Sequence, residues 1–386
     1  MSSSGVTLTA PVNIALIKYW GKLDETAIIP TNDSLSFTLS QDDMCATTTA
    51  MTVARGVKSK FWLNGKEMDL GHPRIRAVVE EVRKIAKVQG TDETLLDLPV
   101  RIASINNFPT AAGLASSAAG YAAATAALGA LYGVKGDLSR IARIGSGSAC
   151  RSISGGFVRW IAGSTSEDSI AVQVAPENHW PSLRWLICVV RATPKAVGST
   201  EGMRRTIQTS PLMPARIASV PDKISAITKA IQERNFRAMA ELTMQDSNQF
   251  HAICLDTFPP LFYMNDVSHR IIDFVHDYNR VKGSLIAGYT FDAGPNACLF
   301  TEQENFDELA SVVEALFSDG VETDFVKGMK PERKVDASKL LDSINVQPIK
   351  GGIKYAIGTK LGGGPRKIDH EKFSLLDANG ELIDRA

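Results

Sequence analysis

The residues of this chain best suited to chemistry fall in four separated segments that mix glycine, hydroxyl and charged side chains. The longest, Asn106-Asn-Phe-Pro-Thr-Ala-Ala-Gly-Leu-Ala-Ser-Ser-Ala-Ala-Gly120, sets Pro109, Gly113 and two adjacent hydroxyls, Ser116 and Ser117, before an Ala-rich run, with no charge anywhere from Ile102 to Val134. A loop of small residues that opens a helix presents bare backbone N–H groups at the positive end of the helix dipole, which suits a phosphate. Small side chains at Ala111, Ala112, Gly113 and Ala115 let that backbone approach an anion closely. The hydroxyls of Ser116 and Ser117 can cap the helix, touch a phosphate oxygen or reach a metal. A nucleotide or polyphosphate site is one reading, and a tightly packed buried helix is the other, because Ala/Gly/Ser runs serve both. No Gly-Lys-Ser/Thr follows, so the loop is not of the Walker A kind. A membrane span fits poorly, since Asn106, Asn107 and Pro109 interrupt the run and its helical part is mostly Ala.

The other three segments are shorter. Ala10-Pro-Val-Asn-Ile-Ala-Leu-Ile-Lys-Tyr-Trp-Gly-Lys22 places Asn13 within an otherwise apolar strand, where a buried amide needs a partner, and ends in Lys18 and Lys22, which read as ligands or as surface charges. Gly145-Ser-Gly-Ser-Ala-Cys-Arg-Ser152 offers N–H and O–H donors beside Arg151, whose planar fork suits a carboxylate or phosphate; a solvated loop with a surface Arg is the alternative. Tyr289-Thr-Phe-Asp-Ala-Gly-Pro-Asn296 ends an apolar strand in one carboxylate, Asp292, open to a ligand beside small neighbours or serving the turn itself.

Several elements must hold these segments in place. Leu8–Lys22 reads as a strand running into a functional loop, and Ser34–Leu39, Ala46–Val53 and Phe61–Leu63 as further strands, the last entering an Asn-Gly turn. Apolar residues at helical spacing predict a helix over Pro73–Val88, stopped by Gly90. The strand Val100–Ser104 feeds the phosphate-loop candidate, and the Ala-rich helix runs from Ser116 to Tyr132. A helix over Leu138–Ile144 precedes the Gly/Ser segment 145–156, and strands follow over Phe157–Ile161 and Leu183–Val190. Beyond Arg191, helices are expected over Pro221–Glu233, Phe236–Ile253 and Pro260–Tyr278, then strand, Gly-rich turn and strand over 284–300, and a helix over Phe306–Phe317. The Gly-rich tail from Pro348 to Leu382 leans to β and adds an edge strand or covers a domain face. Strands precede helices in blocks in both halves, which predicts an α+β fold of two domains, 1–190 and 191–386.

The whole chain sets limits on function. With 386 residues, 44% of them hydrophobic and 22% charged, it is long enough for two cores and is no disordered protein. The 42 Lys and Arg balance 42 Asp and Glu, which argues against a nucleic-acid or anionic-membrane surface but leaves room for an anionic small substrate. The five cysteines are scattered without a Cys-x-x-Cys pair, the N-terminus has no signal-like character, and reduced thiols in a cytoplasmic protein are the expectation. The six histidines show no metal-ligand spacing, so a protein-held zinc is not expected.

Taken together, the four segments resemble the diphosphomevalonate decarboxylases of the GHMP kinase superfamily. The likeness extends to Gln173-Val-Ala-Pro-Glu-Asn-His-Trp-Pro181 and to Leu242-Thr-Met-Gln-Asp-Ser-Asn-Gln-Phe-His-Ala-Ile-Cys-Leu-Asp-Thr-Phe-Pro-Pro260. The phosphate-loop segment carries the decarboxylase spelling, with Ala115 where the kinases usually carry Gly. The resemblance implies that MgATP phosphorylates the 3-hydroxyl of (R)-5-diphosphomevalonate, after which phosphate and CO2 leave to give isopentenyl diphosphate for isoprenoid and sterol synthesis. It implies that Asp292 orients or deprotonates that hydroxyl, that Arg151, supported by Asn13, holds the departing carboxylate, and that Ser117 contacts the transferring phosphate and Mg²⁺. Pro109, Ala111, Ala112, Gly113, Leu114, Ala115 and Ser116 would line the ATP phosphates. Tyr19, Trp20, Gly21, Lys22, Arg74, Thr200 and the run Ser146, Gly147, Ser148, Ala149, Cys150 would surround the substrate's diphosphate, with Lys18 nearby. A homodimer is the assembly usual in the family. Two other readings stand beside this one: a GHMP small-molecule kinase acting on mevalonate or phosphomevalonate, and a non-catalytic paralogue that senses a metabolite. Against the first, a simple kinase has no need of an Arg151 to orient a leaving carboxylate.

Overall fold

In a computed structural model the described residues are 5–108, 116–190, 196–321 and 324–383. They build three main sheets. The first has six strands, in the order Arg366–Ile368, Gly5–Pro11, Cys45–Thr52, Val100–Asn106, Lys60–Leu63 and Lys66–Met68. Every pairing in it is antiparallel except that of Lys60–Leu63 with Val100–Asn106. The second has four antiparallel strands, Ala171–Ala175, Phe157–Trp160, Ser34–Thr38 and Asn13–Ile17. The third has five, Ala287–Phe291, Ala297–Glu302, Leu183–Val189, Tyr355–Thr359 and Val326–Gly328.

The expected single strand over Leu8–Lys22 is instead two, Gly5–Pro11 and Asn13–Ile17, which part at Val12 and enter different sheets. Pro11 explains the break, because it has no N–H to continue a ladder. The Asn64-Gly65 hairpin forms as expected, with both residues at positive φ.

The Ala-rich helix Ser116–Leu131 lies against Gly5–Pro11 and Cys45–Thr52. Ala119, Ala122, Ala123 and Ala127 are fully buried, so small side chains let the helix sit close to the strands while its first turn reaches the cleft. The helix Pro73–Val88 packs beside it through Ile75, Val78, Val79, Val82 and Ala86. One continuous apolar cluster joins the sheets of both halves: Phe37 stacks on Trp185 with ring centroids 4.2 Å apart, flanked by Ile224, Ile227 and Phe300. Such a stacked pair contributes about 0.5–1.5 kcal/mol beyond burial, and here it fixes the relation between the cleft's two walls.

Differences from the expected elements have local causes. The helix expected from Pro221 begins at Met213 and continues to Gln232 through the proline, because Met213, Arg216 and Val220 are buried on one face and hold the turns that precede it. The helix expected from Pro260 starts at Asp266, where Asn265 and Ser268 form a reciprocal capping box. The Gly/Ser segment closes into a 3₁₀ helix, Gly147–Ile153, and the amphipathic helix Ser199–Thr209 was not anticipated. Leu183–Val189 precedes the expected domain boundary, yet it pairs with Ala297–Glu302 and Tyr355–Thr359.

The Gly-rich tail leaves the third sheet and passes Gly362 against Leu39, where a Cβ would lie 2.4 Å from the carbonyl oxygen. It then adds Arg366–Ile368 to the edge of the first sheet, and Leu375 and Leu376 cover Met51, Val53 and Trp62. Among the described residues no helix is long and apolar enough to cross a membrane, and the five cysteines are free thiols.

Candidate active site

A cleft of about 790 Å³ opens between the two halves. The ends of Asn13–Ile17 and Ala287–Phe291, the first turns of Ser116–Leu131 and Ser199–Thr209, and the 3₁₀ turn at residue 147 all face it. Among the sequence candidates, Asn13, Lys18, Tyr19, Trp20, Lys22, Arg74, Ser116, Ser117, Ser146, Gly147, Ser148, Arg151, Thr200 and Asp292 line it. Pro109, Ala111, Ala112, Gly113, Leu114 and Ala115 lie outside the described residues.

Asp292 follows the strand Ala287–Phe291, and its side chain is 28% exposed. Its Oδ1 accepts a 2.6 Å hydrogen bond from Lys18 Nζ, which also donates to Ala15 O at 2.8 Å. Lys18 is only 2% exposed, so this is a desolvated cation held against a carboxylate that still faces the cleft. Arg151, also 2% exposed, lines the same cleft. Its Nε donates to Ser36 Oγ at 2.9 Å and to Asn13 Oδ1 at 3.3 Å, and Nη1 donates to Ser34 Oγ at 2.5 Å. Asn13 is anchored in turn by Nδ2 to Ser152 Oγ (2.8 Å) and Ser148 O (3.0 Å). Burial pulls the Arg151 pKa below its ordinary value, and among the described residues no carboxylate forms an ion pair with it. A buried guanidinium whose hydrogen bonds all go to neutral oxygens is a strong receptor for an anion.

Tyr19 packs edge-on against Trp160 at 4.6 Å, and burial pushes its phenol pKa well up. Its buried hydroxyl has no partner among the described residues. Gly147 is obligatory here, since a Cβ would come within 2.8 Å of Trp160 and 2.9 Å of Tyr19. Ser117 Oγ lies 3.4 Å from Ser146 Oγ, and Arg74 Nη2 donates to Thr200 Oγ1 at 3.2 Å across the cleft. Lys22 pairs with Glu25 at 2.8 Å.

Three candidates are not at the cleft surface. Gly21, at φ +104°, shapes the turn against Thr31 and Met213. Ala149 and Cys150 are fully buried; Cys150 packs on Val158 and Trp160, and burial raises its thiol pKa to about 12, so it is no nucleophile. Trp20 is mostly a core residue, with Nε1 donating to Thr206 and its ring edge-on to Phe250. Sequence reasoning missed Ser34 and Ser36, although polar residues alternating within the strand Ser34–Thr38 were a visible signal for a buried partner. It also missed Ser199 and Met203 on the unanticipated helix.

One buried group beside the site gives a pH signature. His251, 4% exposed, is held neutral by burial and secondarily by the Lys18 cation, with its pKa lowered to about 3. The unfolded chain takes up this proton near pH 6.5 and the native state does not, so stability falls as pH drops below that value. The expected loss from this residue is up to about 1.4 kcal/mol per pH unit between the two pKa values. Urea midpoints at pH 7.0 and 5.5 check it: His251→Gln should flatten the decline, and an unchanged slope would show that His251 does not contribute.

Comparisons with known proteins agree with this architecture. Two family profiles match the chain, the diphosphomevalonate decarboxylase-like N-terminal domain over residues 10–171 and the mevalonate 5-diphosphate decarboxylase C-terminal domain over 185–368. The diphosphomevalonate decarboxylase of Rattus norvegicus is 49% identical over 97% of this chain and 96% of its own. That of Homo sapiens is 49% identical over 98% and 97%. A crystal structure of mevalonate 5-diphosphate decarboxylase superposes with a TM-score of 0.85 at 40% identity, covering 98% of this chain and all (100%) of the other. A structure described as MDDEF in complex with MVAPP, AMPPCP and magnesium gives 0.75 at 30% identity, covering 95% and 99%. The resemblance read from the four segments therefore holds along the whole chain, which belongs to the diphosphomevalonate decarboxylase family.

Proposed function

We propose that this chain phosphorylates the 3-hydroxyl of (R)-5-diphosphomevalonate with MgATP and then expels phosphate and CO2 to form isopentenyl diphosphate. The observation that carries the proposal is the pairing of two buried cations with different duties: Lys18 bound to Asp292, and Arg151 left without a carboxylate among the described residues. A simple small-molecule kinase needs the first arrangement but not the second.

In this reading Asp292 accepts the proton of the 3-hydroxyl as the oxygen attacks the γ-phosphorus. Lys18 holds Oδ1 and so turns Oδ2 to the substrate. Phosphoryl transfer has a loose transition state, so positioning and charge stabilisation supply most of the catalysis. Arg151 then aligns the C1 carboxylate. As the C3–O bond breaks and phosphate takes its electron pair, the C1–C2 pair becomes the C2=C3 double bond and CO2 departs. A guanidinium fixed by Ser34, Ser36 and Asn13 keeps that bond aligned without rearrangement. Asp292 would also stabilise positive charge developing at C3. The substrate diphosphate would sit among Arg74, Tyr19, Lys22, Ser148 and Thr200, which line the cleft together. The ATP phosphates would lie at the start of Ser116–Leu131.

Mg²⁺ fits as an ion held mainly by phosphate oxygens. Among the described residues no group of three or more His, Cys, Asp or Glu could hold a metal, and Ser117, whose residue lines the cleft, would add one hydroxyl ligand. When bound it would neutralise phosphate charge.

The decisive assay is incubation with MgATP and (R)-5-diphosphomevalonate. ADP, free phosphate and CO2 should appear in equal amounts. ADP alone would make the chain a plain kinase, and no turnover would favour a sensor.

A further inference from the structure

The segment Leu242–Pro260, conspicuous in sequence but idle in the mechanism above, forms most of the helix Phe236–Asp256. Its consecutive residues Asp246 and Ser247 grip the backbones on both sides of the Lys18–Asp292 pair. Lys18 lies one residue past the strand Asn13–Ile17, where the ladder no longer serves its main chain. Asp246 Oδ2 accepts its N–H at 2.8 Å, and Arg216 Nη2 donates to its carbonyl at 3.1 Å. Arg216 and Asp246 are themselves joined at 3.0 Å, both side chains with no solvent exposure. Ser247 Oγ, in turn, accepts the N–H of Phe291 at 3.0 Å, one residue before Asp292.

A buried ion pair is weak support for stability, because desolvation consumes most of its Coulomb energy. What this pair does provide is direction. Main-chain groups that leave a sheet need partners, and here charged, fully buried partners set where Lys18 sits. The adjacent Ser247 sets the strand end that carries Asp292. One rigid helix therefore fixes both halves of the catalytic pair, though they are remote in sequence.

We propose that Asp246 and Ser247 are positioning residues for the phosphoryl-transfer step, holding Lys18 and Asp292 in register through their backbones. The inference rests on the roles given to those two residues in the proposed function. Misplacing a reacting group by about 1 Å costs up to roughly 10²-fold in rate, whereas substrate binding elsewhere in the cleft is untouched.

The test uses the full chain and steady-state kinetics with both substrates. Ser247→Ala should lower kcat by about 10-fold or more with each KM within about twofold of wild type. Ser247→Thr keeps the acceptor oxygen and should recover most of the loss. Asn248→Ala, which removes a neighbouring contact to the Tyr289 hydroxyl, is the control and should leave kcat unchanged. Asp246→Asn tests the Lys18 side in the same way; should it fail to fold, Ser247→Ala decides alone. A Ser247→Ala kcat within twofold of wild type, or an equal fall in Asn248→Ala, would overturn the inference. Asp292→Asn run in parallel separates the two levels. If that variant stays active, the proposed chemistry fails; if it is dead while Ser247→Ala is normal, only the positioning role fails.

Discussion

Asp292→Asn is expected to reduce ADP formation by about 10²–10⁴-fold, the range for loss of a positioned general base, while (R)-5-diphosphomevalonate still binds. Asn matches Asp in shape, so the turn and the cleft should survive. The loss falls on chemistry because the amide cannot take the hydroxyl proton, and because Lys18 Nζ, 2.6 Å from Oδ1, loses its anionic partner. Rapid-quench measurement of ADP separates this from binding, and a thermal shift with substrate confirms that the cleft is still occupied. The same variant, given the 3-phosphorylated intermediate, isolates the second step. Slow decarboxylation would support Asp292 as the anion that stabilises positive charge at C3, and normal decarboxylation would confine it to phosphoryl transfer.

Arg151→Met should separate stability from function. Truncating one member of a buried, hydrogen-bonded charge pair costs about 2–5 kcal/mol of binding, which is a fall of about 30-fold to about 5,000-fold in kcat/KM. The free protein should respond differently. Arg151 is buried without a carboxylate, and burial already depresses its pKa, so an apolar side chain of similar length removes a desolvation cost. The loss of partners for Ser34, Ser36 and Asn13 opposes this gain. The thermal midpoint without ligand is therefore expected to stay level or rise, whereas the stabilisation given by substrate is largely lost. A variant both unstable and able to bind substrate normally would assign Arg151 to the core instead of the carboxylate. Product analysis adds a further check, since the remaining turnover should release more ADP than CO2 if carboxylate alignment is the residue's duty.

Much of the site was legible because its residues break local rules. Asn13 is an amide in an apolar strand, Asp292 a carboxylate at the end of another, and Arg151 a cation in a run of Gly and Ser. Each anomaly needed a partner, and the cleft brings all three to its walls. The residues that serve these three were harder to see. Arg216 and Asp246 look like ordinary charges on amphipathic helices, and only the fold brings them to Lys18, about two hundred residues earlier in the chain. Ala149 and Cys150 adjoin Arg151 in sequence but point into the core, because a 3₁₀ turn sends successive side chains in different directions. The long helix through Pro221 shows the same limit from another side: a proline that reads as a start is tolerated where buried Met213, Arg216 and Val220 hold the preceding turns. Local pattern carried the Ala-rich helix and most of the strands, and tertiary contacts decided the rest.

A crystal structure of the chain with (R)-5-diphosphomevalonate and a non-hydrolysable ATP analogue is the most direct test. The 3-oxygen should lie between Asp292 and the γ-phosphorus, with the C1 carboxylate on Arg151. A 3-oxygen turned away from Asp292, or a carboxylate bound elsewhere than Arg151, would contradict the mechanism.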